Sequence, residues 1–261
     1  MENKMKAFHG KQSIKDEYMN RLKDHRERDE IVKGQYWEHG KGCAVGCTVH
    51  SNNHKAYEEE LGIPMVLARL EDSIFEGLLN EEAKEFPLNF LSAINVGADL
   101  SSVGDKFLHW LLVDKIHGVI QYVEDKKIVQ SVADLYKKKI DGEYIQLDEW
   151  KTVYGDADHA ASLGSHASYF SHAARAARAA YRTTRAVATV ARVDAADTDT
   201  YTYYDAADAA GYHADAAHAH AAHTHAHAVA VAAAAAGNHR AAYKARTAQA
   251  AKLIEILKET N

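Results

Sequence analysis

From Ala157 onward the chain adopts a restricted alphabet, and its middle, residues 172 to 237, reads HAARAARAAYRTTRAVATVARVDAADTDTYTYYDAADAAGYHADAAHAHAAHTHAHAVAVAAAAAG. Alanine is the strongest helix former, yet a helix of alanines buries little apolar area per turn. Such helices reach stability only by close approach to one another or to larger neighbours. The segment 156–261 is therefore expected to form an array of three or four thin helices in antiparallel hairpins. Gly211 and the Gly237-Asn238 pair are the expected breaks, with a further interruption near 194–204, where Thr198, Thr200 and Thr202 mix with Tyr201, Tyr203 and Tyr204. His223, His225, His227, Val229 and Val231 also alternate as a strand would, but alanine between them disfavours that reading. Asn238 is placed to cap a last helix with Leu253, Ile254 and Leu257 as its apolar end.

Residues 1–155 have the composition of an ordinary globular domain. Ile14, Tyr18, Leu22, Ile31 and Val32 predict an amphipathic helix from Ile14 to Lys33, stopped by Gly34. Ser51, Asn52 or Asn53 can cap a short helix through HKAYEEELG, with Gly62 as its stop and Pro64 in a new first turn. Val66, Leu67, Leu70, Ile74 and Leu78 share one face of the next helix. Pro87 is expected to open FPLNFLSAI, Gly104 to precede DKFLHWLLVDKIHG, and Gly142 to end IVQSVADLYKKKIDG after a basic last turn; Asp148 begins the segment through Trp150. Five or six helices in this length make a bundle.

The expected architecture is thus all-α: a globular helical bundle over 1–155, then the Ala-rich array. Only two prolines interrupt 261 residues, which favours long helices. The N-terminal stretch lacks the apolar core of a secretory signal, and no run of about 18 apolar residues suggests a membrane span. Cytoplasmic residence without membrane association is the expectation, and two cysteines indicate no disulfide framework. The net charge of −6 falls entirely on residues 1–155, with 21 basic against 27 acidic residues, while 156–261 carry 10 of each. Neither part has the broad positive field of a general nucleic-acid binder.

Chemistry is concentrated in GKGCAVGCTVHSNNH, residues 40–54. Cys43, Cys47, His50 and His54 are the ligand types and number of a closed zinc site. On one continuous helix, however, the first and last would lie about 16 Å apart, so one ion could bind all four only if the chain folds back at Gly40, Gly42 and Gly46. His9 and His39 are further candidates from outside the run. The same glycines with Lys41 suggest an anion-binding nest, although the P-loop pattern is absent. A thiolate paired with His39 or His50 is a third possibility for this stretch.

In the Ala-rich part, Arg175, Arg178, Arg182, Arg185 and Arg192 form one basic stripe, which suits either a phosphate backbone or a neighbouring helix bearing Asp194, Asp197, Asp205, Asp208 and Asp215. The neutrality of this half favours the internal pairing. His220, His223 and His227 share a helix face with His213, at spacings suited to a transition metal or to pH sensing.

The run YWEHGKGCAVGCTVH…YEEELGIPMVLARLEDSIFEGL, residues 36–78, resembles a segment of a bacterial and phage-associated protein group that also carries Ala-rich tails. That resemblance implies no activity. The composition of 157–250 is loosely similar to helical immunity proteins of bacterial toxin systems, which implies binding of another macromolecule and transfers no site residue. The leading expectation is a non-enzymatic, immunity-like interaction protein with a protein partner. The alternatives are a zinc protein or metalloenzyme centred on Cys43, Cys47, His50 and His54, and a nucleic-acid backbone binder using the arginine stripe. No cofactor other than zinc is suggested.

Overall fold

The computed structural model describes residues 5–123, 125–163 and 239–260, and these are mostly α-helical, as expected from composition. The chain divides into two compact units: Met1–Gly104 together with Arg246–Asn261, and Asp105–Ala245. The expected boundary at 155/156 falls inside a continuous helix, Leu147–Leu163. The break near 194–204, the alternation at 223–231, and the binding candidates Arg175, Arg178, Arg182, Arg185, His220, His223 and His227 lie outside the described residues.

In the first unit, a 3-10 turn at Ala7–Gly10 leads into α1 (Gln12–Glu27), which buries Tyr18, Leu22 and His25. This helix is shorter than the predicted Ile14–Lys33. Asp29 adopts a left-handed backbone at φ 56°, and the Glu30 N–H turns back onto the His25 carbonyl at 2.9 Å. Ile31 and Val32, which fit the helical pattern, instead run extended: Ile31 bridges to Gly42, and Val32 N–H donates to the Gly42 carbonyl at 2.8 Å. Two apolar residues in succession suit either period, and pairing with the hairpin decides.

That hairpin joins β1 (Trp37–Glu38) to β2 (Lys41–Gly42) in antiparallel register, Trp37 opposite Gly42 and Glu38 opposite Lys41. After it comes α2 (Ala44–Val49), in which all six residues are buried. Its small side chains let α1, α4 and β2 close around it, and Thr48 satisfies its own hydroxyl on the Ala44 carbonyl at 2.8 Å. The short helix α3 (Ala56–Leu61) ends at Gly62 with φ 62°, as the glycine predicted.

Next, α4 (Met65–Gly77) starts directly after Pro64 and buries an unbroken run from Leu70 to Phe75. Its apolar stripe is the predicted one, but the helix is central and covered on several sides, so Glu71, Asp72 and Ser73 are buried with it. Helix α5 (Asn80–Ala93) begins seven residues before Pro87, which sits buried in its interior rather than at its start. A proline there removes one helical N–H. The surrounding Phe86, Phe90 and Leu91 anchor the helix by burial instead.

Helix α6 (Val103–Val113), which from Asp105 onward belongs to the second unit, contributes Phe107, Leu108, Leu111 and Leu112 to the core. A 3-10 turn at Val119–Tyr122 precedes α7 (Lys126–Ile140), capped by the Asp125 carboxylate accepting from Lys127 N–H at 3.0 Å. Lys137, Lys138 and Lys139 close its last turn before Gly142 at φ 80°. Against it packs α8 (Leu147–Leu163), with Trp150 meeting Tyr136 edge-on at 5.5 Å.

The final helix, α9 (His239–Lys258), begins in the second unit and ends in the first. Within the first unit Gln249, Leu253, Ile256 and Leu257 are buried, the Arg246 guanidinium reaches the Ser73 hydroxyl at 3.4 Å, and Asn95 donates to the Thr260 carbonyl at 3.3 Å. Among the described residues no helix is long and apolar enough to cross a membrane.

Candidate functional site

The glycines of GKGCAVG do two separate jobs. Gly40 at φ 80° follows His39 at φ 51°, so both central residues of the hairpin are left-handed, as a two-residue turn with the right twist requires. Gly42 and Gly46 serve close approach: a Cβ would lie 1.9 Å and 1.4 Å respectively from the Tyr36 carbonyl oxygen. The hairpin consequently lies flat on α2. Cys43 N–H bonds the carbonyls of Gln35 (2.6 Å) and Tyr36 (3.1 Å), and Gly42 N–H bonds that of Glu30 at 3.0 Å. Two N–H groups that an anion nest would use, those of Gly42 and Cys43, are thus taken by carbonyls of residues 30–36. Lys41 is exposed on β2.

Beneath the hairpin lies a buried polar network. The Asp72 carboxylate, whose charge acts on the Cys43 thiol, has its Oδ2 3.3 Å from His54 Nε2. Tyr36 meets the His54 ring edge-on at 5.7 Å. Alongside, the Tyr57 hydroxyl donates to Glu71 Oε2 at 2.6 Å. Burial pushes the Cys43 thiol far up, with the Asp72 charge adding to it, and pushes Cys47 up to about 12; both are neutral thiols at ordinary pH. Burial likewise raises Glu71 and Tyr57 well above their usual ranges. Among the described residues, His54 Nδ1, Arg69 Nε, Glu71 Oε1 and Asp72 Oδ1 have no hydrogen-bond partner, a costly condition inside a protein.

On the other side of the hairpin, a second network reaches the surface. His25 is 4% exposed; its Nδ1 lies 2.6 Å from Glu30 Oε2 and its Nε2 lies 2.8 Å from His50 Nε2. His50 occupies a left-handed backbone at φ 52° at the end of α2, and Trp37 stacks on its ring at 4.2 Å with 14° between planes. Arg28 Nε bonds the same Glu30 oxygen at 2.9 Å. The hydrogen bond from His25, assisted by Arg28, holds the Glu30 carboxyl below its ordinary range. Burial, followed by the charges of Arg21 and His25, lowers His50. In front of His50 opens a cleft of about 490 Å³ lined by Gln35, Tyr36, Trp37, Glu38, Ser51 and Asn52.

The four residues singled out as a zinc set are therefore divided. Cys43 and His54 join the inner network through Asp72, His50 belongs to the outer one, and the Cys47 thiol donates to the Gly42 carbonyl at 3.2 Å. Among the described residues, no three or more His, Cys, Asp or Glu side chains are gathered as a metal ion requires. His39 is an exposed turn residue, and His9 Nε2 lies 3.1 Å from the Glu59 carbonyl. Sequence reasoning missed His25, Glu30, Trp37 and Asp72. His25 and His50 are 25 positions apart and Cys43 and Asp72 are 29 apart, separations that carry no local signal. In comparisons with known proteins, no family model, curated protein or solved structure matches the chain.

Proposed function

We propose that this is an interaction protein that binds another polypeptide, met in the cytoplasm, in the cleft formed by residues 35–38 and 50–52. The observation carrying this reading is the aromatic pair on the hairpin: Tyr36 is 43% exposed, and Trp37 beside it is held in place by stacking on His50. Tyrosine and tryptophan on a rigid support supply contact area at low entropic cost, and they dominate the energetic centres of protein interfaces. Gln35, Glu38, Ser51 and Asn52 furnish the polar rim such a centre needs. The compositional likeness of the Ala-rich part to immunity proteins points the same way.

The test is a photo-crosslinking amino acid placed at position 38 or 52 of the full chain in living cells, with adducts identified by mass spectrometry. Tyr144, 68% exposed in the other unit, provides the control position. A discrete adduct formed from 38 and 52, absent from 144 and lost on Trp37→Ala, supports the reading. Equal adducts from all three positions, or none from the cleft, would overturn it.

A further inference from the structure

The chain Glu30, His25, His50 has the connectivity of a proton relay ending at a cleft. His25 Nδ1 donates to the Glu30 carboxylate at 2.6 Å, which leaves a lone pair on His25 Nε2. That lone pair accepts the Nε2–H of His50 at 2.8 Å, so the remaining lone pair of a neutral His50 is on Nδ1. A carboxylate that orients one imidazole, which in turn orients a second, is the arrangement by which enzymes fix a tautomer and stabilise the cation formed on proton uptake. The Trp37 ring covers one face of His50 and keeps it from rotating away.

We propose that His50 is the general base of a hydrolytic site for acyl esters opening on this cleft, with His25 and Glu30 as positioning residues. His50 Nδ1 takes a proton from a water molecule as the water oxygen bonds to the acyl carbon. The ester carbon–oxygen bond then breaks, and the departing alkoxide or phenoxide recovers the proton from His50, giving carboxylic acid and alcohol. The positive charge on His50 is shared with His25 by transfer along the 2.8 Å hydrogen bond and is compensated by Glu30. Ser51 supplies a donor for the carbonyl oxygen: its oxygen already accepts the Asn53 N–H at 3.0 Å, which leaves its hydroxyl hydrogen for the substrate. Burial, with Arg21 and His25 adding to it against the opposing charge of Glu60, lowers His50 and favours its neutral form. The inference rests on this ring geometry and not on which polypeptide docks nearby.

The test uses the full chain with p-nitrophenyl acetate as the probe ester, across pH 5 to about 9, the range in which an imidazole titrates. His50→Asn is the first variant, because asparagine tolerates the left-handed backbone. Glu30→Gln is the second, and His39→Gln, an exposed imidazole on the same hairpin, is the control. The expected result is a protein-dependent rate that falls about 100-fold in His50→Asn. In Glu30→Gln the pH profile shifts to lower pH with a lower plateau, and His39→Gln leaves the rate unchanged. Circular dichroism checks that each variant is folded, and should His50→Asn unfold, the profile shift in Glu30→Gln decides. Equal rates in wild type and His50→Asn, equal losses in His39→Gln and His50→Asn, or an unshifted Glu30→Gln profile overturns the proposal. Cross-linking from the cleft is a separate readout, so failure of one experiment does not decide the other.

Discussion

Replacing Gly46 with alanine tests whether the hairpin is seated on α2 as described. The new Cβ would lie 1.4 Å from the Tyr36 carbonyl oxygen and 2.5 Å from its carbon, both backbone atoms that cannot swing aside. Reaching the 3.0 Å below which real contacts essentially never fall requires the hairpin to lift by about 1.6 Å. That lift breaks the Cys43 N–H bonds to Gln35 and Tyr36, and a buried donor left unmatched costs about 1–3 kcal/mol. It also opens the Trp37–His50 stack, a contact of about 0.5–1.5 kcal/mol. Alanine returns about 1 kcal/mol as the better helix former, so the net loss is about 0.5–3.5 kcal/mol. Gly155 is the matched control, being a helical glycine in α8 where an added Cβ would meet nothing within 4 Å, so alanine should gain about 0.5–1 kcal/mol. Urea unfolding followed by circular dichroism measures both changes. Amide hydrogen exchange over residues 35–43 shows whether the loss is local to the hairpin, since two compact units need not unfold together. A Gly46→Ala protein as stable as wild type or more so, with exchange unchanged at these amides, would refute the seating.

Three further outcomes follow from the titratable groups. Glu71 is raised in the folded protein, so above the ordinary value of 4.5 the unfolded chain releases a proton that the folded one keeps, and stability falls as pH rises until the folded group ionises. Glu71→Gln should remove that fall and match or exceed wild-type stability at pH 8, measured by urea midpoints at several pH values. Cys43 and Cys47, buried neutral thiols, should resist a water-soluble thiol reagent at pH 8 in the native protein and both react once urea unfolds the first unit. Rapid reaction without denaturant would contradict their burial. In proton NMR, His50 should titrate below the 6.5 of a free imidazole, and Arg21→Gln should move it upward; a midpoint unchanged by that substitution would remove Arg21 from the account.

Local rules made much of the helical framework readable from sequence. Gly62 and Gly142 stop helices where a left-handed residue is needed, and the stripe Leu67, Leu70, Ile74 identifies α4. Where the reading failed, a contact distant in sequence overruled a local preference. Ile31 and Val32 carry a pattern compatible with helix, yet they pair with Gly42. Pro87 looks like a helix start, yet the burial of α5 holds it in the interior. The candidate site was half visible: GKGCAVGC lies in and beside the hairpin that borders the cleft, and its glycines permitted a fold-back. The reason for two of them, Gly42 and Gly46, is the Tyr36 carbonyl, which no spacing announces. Likewise Glu71 and Asp72 lie off the apolar stripe yet are buried, because other elements of the unit cover that face of the helix.

The last turns of α9 give the chain an order of completion. The first unit is built from residues up to Gly104 and again from Arg246 onward, so the second unit is in effect an insertion between two parts of one core. A ribosome making this protein must deliver well over a hundred further residues before Leu253 and Leu257 can fill their places. Until then the partly made core exposes apolar surface, the kind of intermediate that aggregates or engages chaperones. Closing so long an intervening loop adds only slowly growing entropy, which makes the arrangement tolerable at equilibrium while delaying it in time.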